Sequence, residues 1–290
     1  MGWLRDLARE WRDDRVSGLS AEIAFFGLLS LFPALLAMAA ALGSLEAIAG
    51  ADVADRAEEE VVEFLEDVLT EEASGTIRAV ENLFEQTEPG VVTIGVVLAV
   101  WAASRAFAAL IAALDVVYDL EEGRGYVRRR ALGLALALGT VLITAVMLAM
   151  LVVGPLFGRG RGVADAIGLG SGFATFWDWA RLPVAATVMI AWAATVFHIA
   201  PNHRTPWRAD LPGAVFAAGA WALISVGFRV YLDVAGDTNQ VLGTLGGTLI
   251  VLLWLYLLAV GLLMGGELNA LLLVRRQAVA NRRQSVPAEP

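Results

Sequence analysis

Hydrophobic positions along this chain fall into unbroken runs rather than into the short alternations of a soluble domain. Six such runs are long enough to cross a bilayer as helices, which takes roughly 20 residues at about 1.5 Å rise each. They cover about Ile23 to Leu45, Val91 to Val117, Ala131 to Phe157, Leu182 to Ala200, Leu211 to Leu232 and Thr248 to Val274. Ahead of the first run, residues 1–20 are polar, with Trp3, Leu4, Leu7 and Trp11 at helical spacing and Arg5, Arg9, Arg12 and Arg15 between them. That pattern predicts a short amphipathic helix lying on a membrane surface. Between the first two runs, Glu46 to Glu88 carries fourteen carboxylates against Arg56 and Arg78. Val61, Leu65, Val68 and Leu69 share one helical face there, and Ile77, Val80 and Phe84 share another. The segment reads as an acidic amphipathic helical hairpin with a break near Thr70 to Gly75.

The fold class expected is therefore an all-α membrane protein: a six-transmembrane-helix bundle over 21–274, with the acidic insertion at about 46–88. A polar tail over 275–290 closes the chain and has the composition of a disordered segment. Composition agrees: 58% of residues are hydrophobic and 18% charged, with mean hydropathy +0.67. Orientation follows from arginine, which carries all 21 basic charges, because short loops rich in basic residues resist translocation. With the N-terminus inside, fourteen loop and terminal arginines are cytoplasmic and five (Arg56, Arg78, Arg159, Arg161, Arg181) are external. Both termini are then cytoplasmic, the acidic hairpin is external, and the location expected is the plasma membrane.

Charge and motif content exclude several classes. A net charge of −9 makes the chain a poor electrostatic partner for nucleic acid. The absence of cysteine removes disulfides and thiolate metal sites. No Gly-x-Ser-x-Gly elbow is present, and the glycine runs lack a P-loop lysine, so neither serine hydrolysis nor ATP-driven work is expected of this chain. No cofactor and no metal site is implied. The informative residues are ionisable or amide groups inside or beside apolar runs, where charge is costly and turns toward partners or water. These are Glu22, Arg105, Asp115, Asn202, Arg229, Glu267 and Asn269. By rise per residue Arg105 and Glu267 sit at similar depth, which makes an ion pair between them geometrically possible. The set reads either as charges that lock helices together or as a polar cavity for the headgroup of an amphipathic molecule, with Asn202 and Asn269 at its inner mouth. Gly261 and Gly265, four apart, predict close helix packing. Gly243, Gly246 and Gly247 before the last span read as a tight turn or as a re-entrant segment lining a cavity, the turn being the simpler expectation.

Several strings resemble the YihY/BrkB family of multi-pass membrane proteins, once labelled ribonuclease BN. They are Leu19-Ser20-Ala21-Glu22 running into Ala24 through Pro33; Trp101-Ala102-Ala103-Ser104 through Asp115 and Tyr118; Pro201-Asn202 with Pro206-Trp207 and Leu211-Pro212-Gly213-Ala214; and Gly243-Thr244-Leu245-Gly246 with Trp254-Leu255-Tyr256 and Gly265 through Asn269. The likeness spans roughly residues 17 to 275 and implies six helices and an envelope role. Two positions depart from the pattern: Asp115 stands where asparagine is usual, and His198 where tyrosine is common. The old ribonuclease label finds no support in the residues. His198 and His203 are the only histidines, and no acid–base or metal constellation surrounds them. The function expected is transport or export of an amphipathic or lipid-like molecule without an intrinsic ATPase, with membrane lipid as surroundings and a proton or other coupling ion as drive. The alternative is a non-catalytic envelope scaffold that docks partners or cations through the acidic hairpin.

Overall fold

The computed structural model describes residues 9–31, 89–120, 123–148, 170–202, 205–235 and 243–284, and among them every regular element is helical. Residues 9–13 form α1, Val16–Leu31 α2, Pro89–Val117 α3, Tyr126–Leu148 α4, Gly170–Ile199 α5, Leu211–Ala235 α6 and Gly243–Gln284 α7. A single 3-10 turn, Trp207–Ala209, precedes α6. Windows long and apolar enough to cross a membrane lie in four of these helices, over Val100–Val117, Leu182–Ile199, Leu211–Tyr231 and Gly247–Ala278. Helix α2 is apolar but shorter over the described residues, and α4 holds residues 131–148 of the third expected span. The acidic hairpin at 46–88 and the rest of the first span lie outside the described residues.

Some boundaries differ from those the hydrophobic pattern predicts: α5 begins at Gly170 instead of about Leu182, α7 runs on to Gln284 through residues read as a disordered tail, and a left-handed residue splits the N-terminal helix. Arg15 has φ of 53°, so α1 stops there and α2 begins at Val16 instead of one amphipathic helix continuing to residue 20. Asp119 has φ of 52° and ends α3 in a Schellman turn: Leu120 N–H donates to the Asp115 carbonyl at 2.8 Å and Asp119 N–H to the Val116 carbonyl at 2.9 Å. Both positions use a residue with a Cβ where glycine is the usual choice.

The helices pack through small residues. Helix α6 packs most extensively on α7, α4 on α3, and α5 on α6. Without water there is little hydrophobic drive between apolar helices in lipid, so close approach and buried hydrogen bonds carry the association. Gly261 lets Ala220, Ile224 and Trp221 of α6 press on α7, and the Trp221 indole N–H donates to the Leu258 carbonyl at 2.9 Å. Gly133 does the same between α4 and the Ser104–Ala108 backbone of α3, and Gly139 makes room for the Trp192 ring of α5. The expected close-packing role of Gly261 and Gly265 is thus what the structure shows. A buried core of Ile111, Leu114, Phe197, Ala214, Ala217 and Leu263 lies between the helices. The outward faces remain apolar, with Leu138, Val141, Leu142, Leu223, Val226 and Val230 all exposed, as a lipid-facing surface requires. Trp179 is 81% exposed and precedes Ile199 by 20 residues, or roughly 30 Å of helix, about one hydrocarbon thickness. Trp207, exposed just beyond Ile199, marks the other boundary.

Candidate functional site

The loop after α3, the junction of α5 with α6 and the turn between α1 and α2 come together at one end of the bundle, and there they form a buried polar knot. Helix α5 ends at Ile199, leaving carbonyls without intrahelical partners and the negative end of its dipole. Arg124, in the loop between α3 and α4, answers both: its guanidinium donates to the Ala200 carbonyl at 2.6 Å, to Pro201 at 2.7 Å and to Ile199 at 3.4 Å. Asp115, 4% exposed, accepts the Asn202 backbone N–H on Oδ1 at 3.0 Å. An asparagine Oδ1 would accept that bond equally, so the acidic departure leaves the junction intact. His198 Nδ1 lies 3.2 Å from Asp210 Oδ2, tying the end of α5 to the residue that opens α6; the Asp210 carbonyl accepts the Ala214 N–H at 3.1 Å.

Helix α7 inserts the remaining polar groups. Asn269, fully buried, accepts the Gly213 N–H on Oδ1 at 2.7 Å and donates through Nδ2 to the Asp210 carbonyl at 3.0 Å. It therefore caps the first turn of α6 from a different helix, satisfying a donor that would otherwise be orphaned. Gly213 and Gly265 face each other closely enough that neither could carry a side chain, and Gly266 abuts Leu114 and Val117 of α3. Next to Gly266 in the sequence sits Glu267, 1% exposed. Its Oε1 has no hydrogen-bond partner among the described residues, and its carboxyl meets that of Asp14, at the turn between α1 and α2.

Asp14 closes the knot from the N-terminal side. Burial pushes its carboxyl above the ordinary carboxylate range; the hydrogen bond with Glu267 works against that, and the Asp119 and Asp13 carboxylates add to it. Glu10, one turn earlier, is raised for the same first reason and by Asp14, Asp119 and Asp13, with Arg9 opposing. Because the docked segment holds these protons more tightly than a free one would, docking is favoured at low pH and weakens as pH climbs from the ordinary carboxylate value through the raised one. A nitroxide on Arg12→Cys, clean because the chain has no cysteine, is expected to be less mobile at pH 5 than at pH 8. In an Asp14→Asn background the difference should shrink. Equal pH response in both would remove Asp14 from the docking.

Of the residues singled out by sequence, Asp115, Asn202, Glu267 and Asn269 converge here. Glu22 is exposed on α2, Arg105 lies ten residues up α3, and Arg229 is exposed near the far end of α6; none of the three joins the knot. The Arg105–Glu267 pair is not formed: the Arg105 guanidinium lies over the Phe26 ring, 5.0 Å from its centroid, while Glu267 is turned toward Asp14. Rise per residue fixes depth but not direction. Ten residues at 100° each leave Arg105 about 80° around the helix from Asp115. Sequence reasoning missed Asp14, Arg124, Asp210 and Gly213. Asp210 alone carried a signal, an N-cap residue just before an apolar run that opens with Leu211-Pro212.

A chain whose described residues form only helices, four of them bilayer-length and apolar, with polar groups held between them, is a helical membrane protein. The chain belongs to the Virulence factor BrkB family, whose profile matches residues 7–289. It is 29% identical over 280 residues to the "Putative ribonuclease-like protein YfkH" of Bacillus subtilis (strain 168), covering 96% of this chain and 97% of that one. It is also 33% identical over 142 residues to a "UPF0761 membrane protein" of Stenotrophomonas maltophilia (strain R551-3), covering 48% of this chain and 29% of that longer relative. No solved structure matches.

Proposed function

We propose that this protein is a plasma-membrane carrier that moves an amphipathic, lipid-like molecule across the bilayer, driven by a proton gradient and without an ATPase of its own. The observation that carries this is Glu267: a carboxyl 1% exposed, one oxygen unpartnered among the described residues, on a helix apolar enough to cross a membrane. Ionisable groups so placed are costly and mark proton or ion pathways. Asp115, the other candidate for that role, accepts a backbone hydrogen bond at a helix junction, so the titrating part falls to Glu267. Asp14 gives it a partner from a segment whose docking responds to pH, which supports a proton-linked opening at this end. With arginines gathered here, this end faces the cytoplasm and both termini with it.

The YfkH name describes a ribonuclease-like protein, and hydrolysis of RNA is the reading ours displaces. Among the described residues no three His, Cys, Asp or Glu side chains converge as a metal site, and the buried carboxyls here are engaged with backbone, with His198 or with each other. The test is flux of a headgroup-labelled fluorescent lipid in proteoliposomes. Glu267→Gln, which keeps the shape and removes the titration, is expected to reduce flux to the protein-free baseline with an unchanged melting temperature. Undiminished flux in that variant would remove Glu267 from the mechanism. Metal-dependent RNA cleavage by purified protein free of host nucleases would instead restore the ribonuclease.

A further inference from the structure

The arginines of this bundle divide into two groups by what receives them. Arg124 donates to the carbonyls of Ile199, Ala200 and Pro201 and closes the end of α5, while Arg129 donates to the Ala108 carbonyl within α3 at 2.8 Å. Arg105 and Arg130 instead lie over aromatic rings. Arg130 reaches from the first turns of α4 onto α3, where its guanidinium lies 5.9 Å from the Trp101 ring centroid and 3.3 Å from the Trp101 carbonyl. That carbonyl is the one a regular α-helix offers to the N–H of Arg105. Arg105 itself is exposed and stacked over Phe26 of α2 at 5.0 Å. Two guanidiniums thus meet one turn of α3, and among the described residues neither has a carboxylate partner.

The surroundings of this turn are apolar and outward-facing: Phe25 and Leu29 on α2 and Val97, Leu98 and Trp101 on α3 are all exposed. Its depth is unusual. Arg105 stands twelve residues before Val117, about 18 Å of helix, near the middle of a hydrocarbon layer about 30 Å thick. A cation at that depth lacks hydration, and what relieves the cost is an anion held by the planar, forked donors of arginine. Lipids that merely surround a protein keep their headgroups at the interface. An anionic headgroup at mid-depth belongs to a molecule in transit.

We propose that the Trp101–Arg105 turn of α3, with Arg130 laid across it and Phe26 beneath, binds the phosphate-bearing anionic headgroup of the transported amphiphile while its chains lie along the exposed apolar strip of α2 and α3. This rests on the carrier reading above and adds the substrate class, an acidic phospholipid rather than a zwitterionic one. Glu22, one turn from Phe26 on α2 and itself exposed, stands on the inner approach to the site, where its charge disfavours a second anion entering behind the first.

The experiment is native mass spectrometry of the full chain in mild detergent with equal amounts of phosphatidylglycerol and phosphatidylcholine of matched chains. Wild type is expected to retain phosphatidylglycerol preferentially. Arg105→Gln with Arg130→Gln is expected to lose the preference while melting as wild type, and Arg105→Lys to keep part of it, since charge survives but the fork does not. Arg128→Gln, on the exposed surface of the same α4 turn, is expected to change nothing. A double variant as selective as wild type overturns the site, as does an equal loss at Arg128, which would mean surface attraction only. Displacement of the bound lipid by inorganic phosphate would assign the site to a free anion and overturn the lipid. Because binding is read without flux, selectivity that persists while wild-type proteoliposomes show no flux above the protein-free baseline faults the carrier reading alone.

Discussion

Replacing Gly213 by alanine is expected to be the most damaging single change in this chain, leaving little protein that survives extraction as a sharp monodisperse species. The new Cβ would overlap the Gly265 carbonyl oxygen and fall 2.5 Å from Asn269 Nδ2 and 2.6 Å from its Cγ. The carbonyl belongs to the middle of α7 and cannot retreat without moving the helix. Moving Asn269 instead breaks both of its buried hydrogen bonds. Overpacking commonly costs about 1–3 kcal/mol, and each buried polar group stripped of its partner roughly 1–3 kcal/mol more. Gly265→Ala is expected to act in the same direction, its Cβ meeting the Gly213 carbonyl at 2.5 Å with Ala217 and Phe197 each at 3.1 Å. Melting in detergent followed by tryptophan fluorescence checks both, and a Gly213→Ala protein melting within a degree or two of wild type would mean that α6 and α7 do not cross there.

The second large effect is expected at Asn269. Asn269→Leu keeps the volume but leaves the Gly213 N–H and the Asp210 carbonyl buried without partners, a loss of roughly 2–6 kcal/mol for the pair. Asn269→Asp is the sharper probe, because it preserves the acceptor for Gly213 N–H and replaces the donor to Asp210 by an oxygen facing an oxygen. Both variants are expected to melt far below wild type. Serine cannot reach both groups and should not rescue. If Asn269→Asp were as stable as wild type, Nδ2 would not be donating to Asp210, and the crossing of α6 on α7 would have to be held by the glycine contact alone.

Much of the architecture was legible in the order of apolar residues. Pro89-Gly90 opens α3 within two residues of the expected start, and Val117 closes it at the expected position. Leu211 opens α6 as anticipated. These boundaries are readable because proline, N-cap residues and the end of an apolar run act locally. Arg15 and Asp119 were not readable, since nothing about an arginine or an aspartate announces a left-handed backbone. The site was legible by residue type and not by pairing. Glu267, Asp115 and Asn269 stood out as polar groups in apolar runs, but Asn269 and Gly213 are 56 positions apart and only the crossing of two helices joins them. The Arg105–Glu267 pair failed for the same reason, because depth along a helix is written in the sequence and rotation about its axis is not. That failure is informative, since it separates the carboxyl end built around Glu267 and Asp14 from the Arg105 contact with Phe26 on α3.

The separation matters for mechanism. A carrier needs a group that responds to the driving ion and a place that holds cargo, and the two need to be distinct but coupled. Helix α3 links them physically: Arg105 lies on it at mid-depth and Asp115 and Tyr118 lie at its end, against the knot. A displacement of α1 on deprotonation of Asp14 would free the face of α7 that carries Glu267 and, through Leu114, Val117 and Gly266, the end of α3.

The most direct measurement of the central claim is lipid flux in proteoliposomes of defined orientation, with and without an imposed pH gradient, for wild type beside Glu267→Gln. Wild-type flux of a labelled acidic phospholipid is expected to rise with the gradient and to collapse when an ionophore dissipates it, while the variant stays flat under all three conditions. Flux that ignores the gradient in wild type, or that follows it unchanged in Glu267→Gln, would contradict a proton-driven carrier built on this carboxyl.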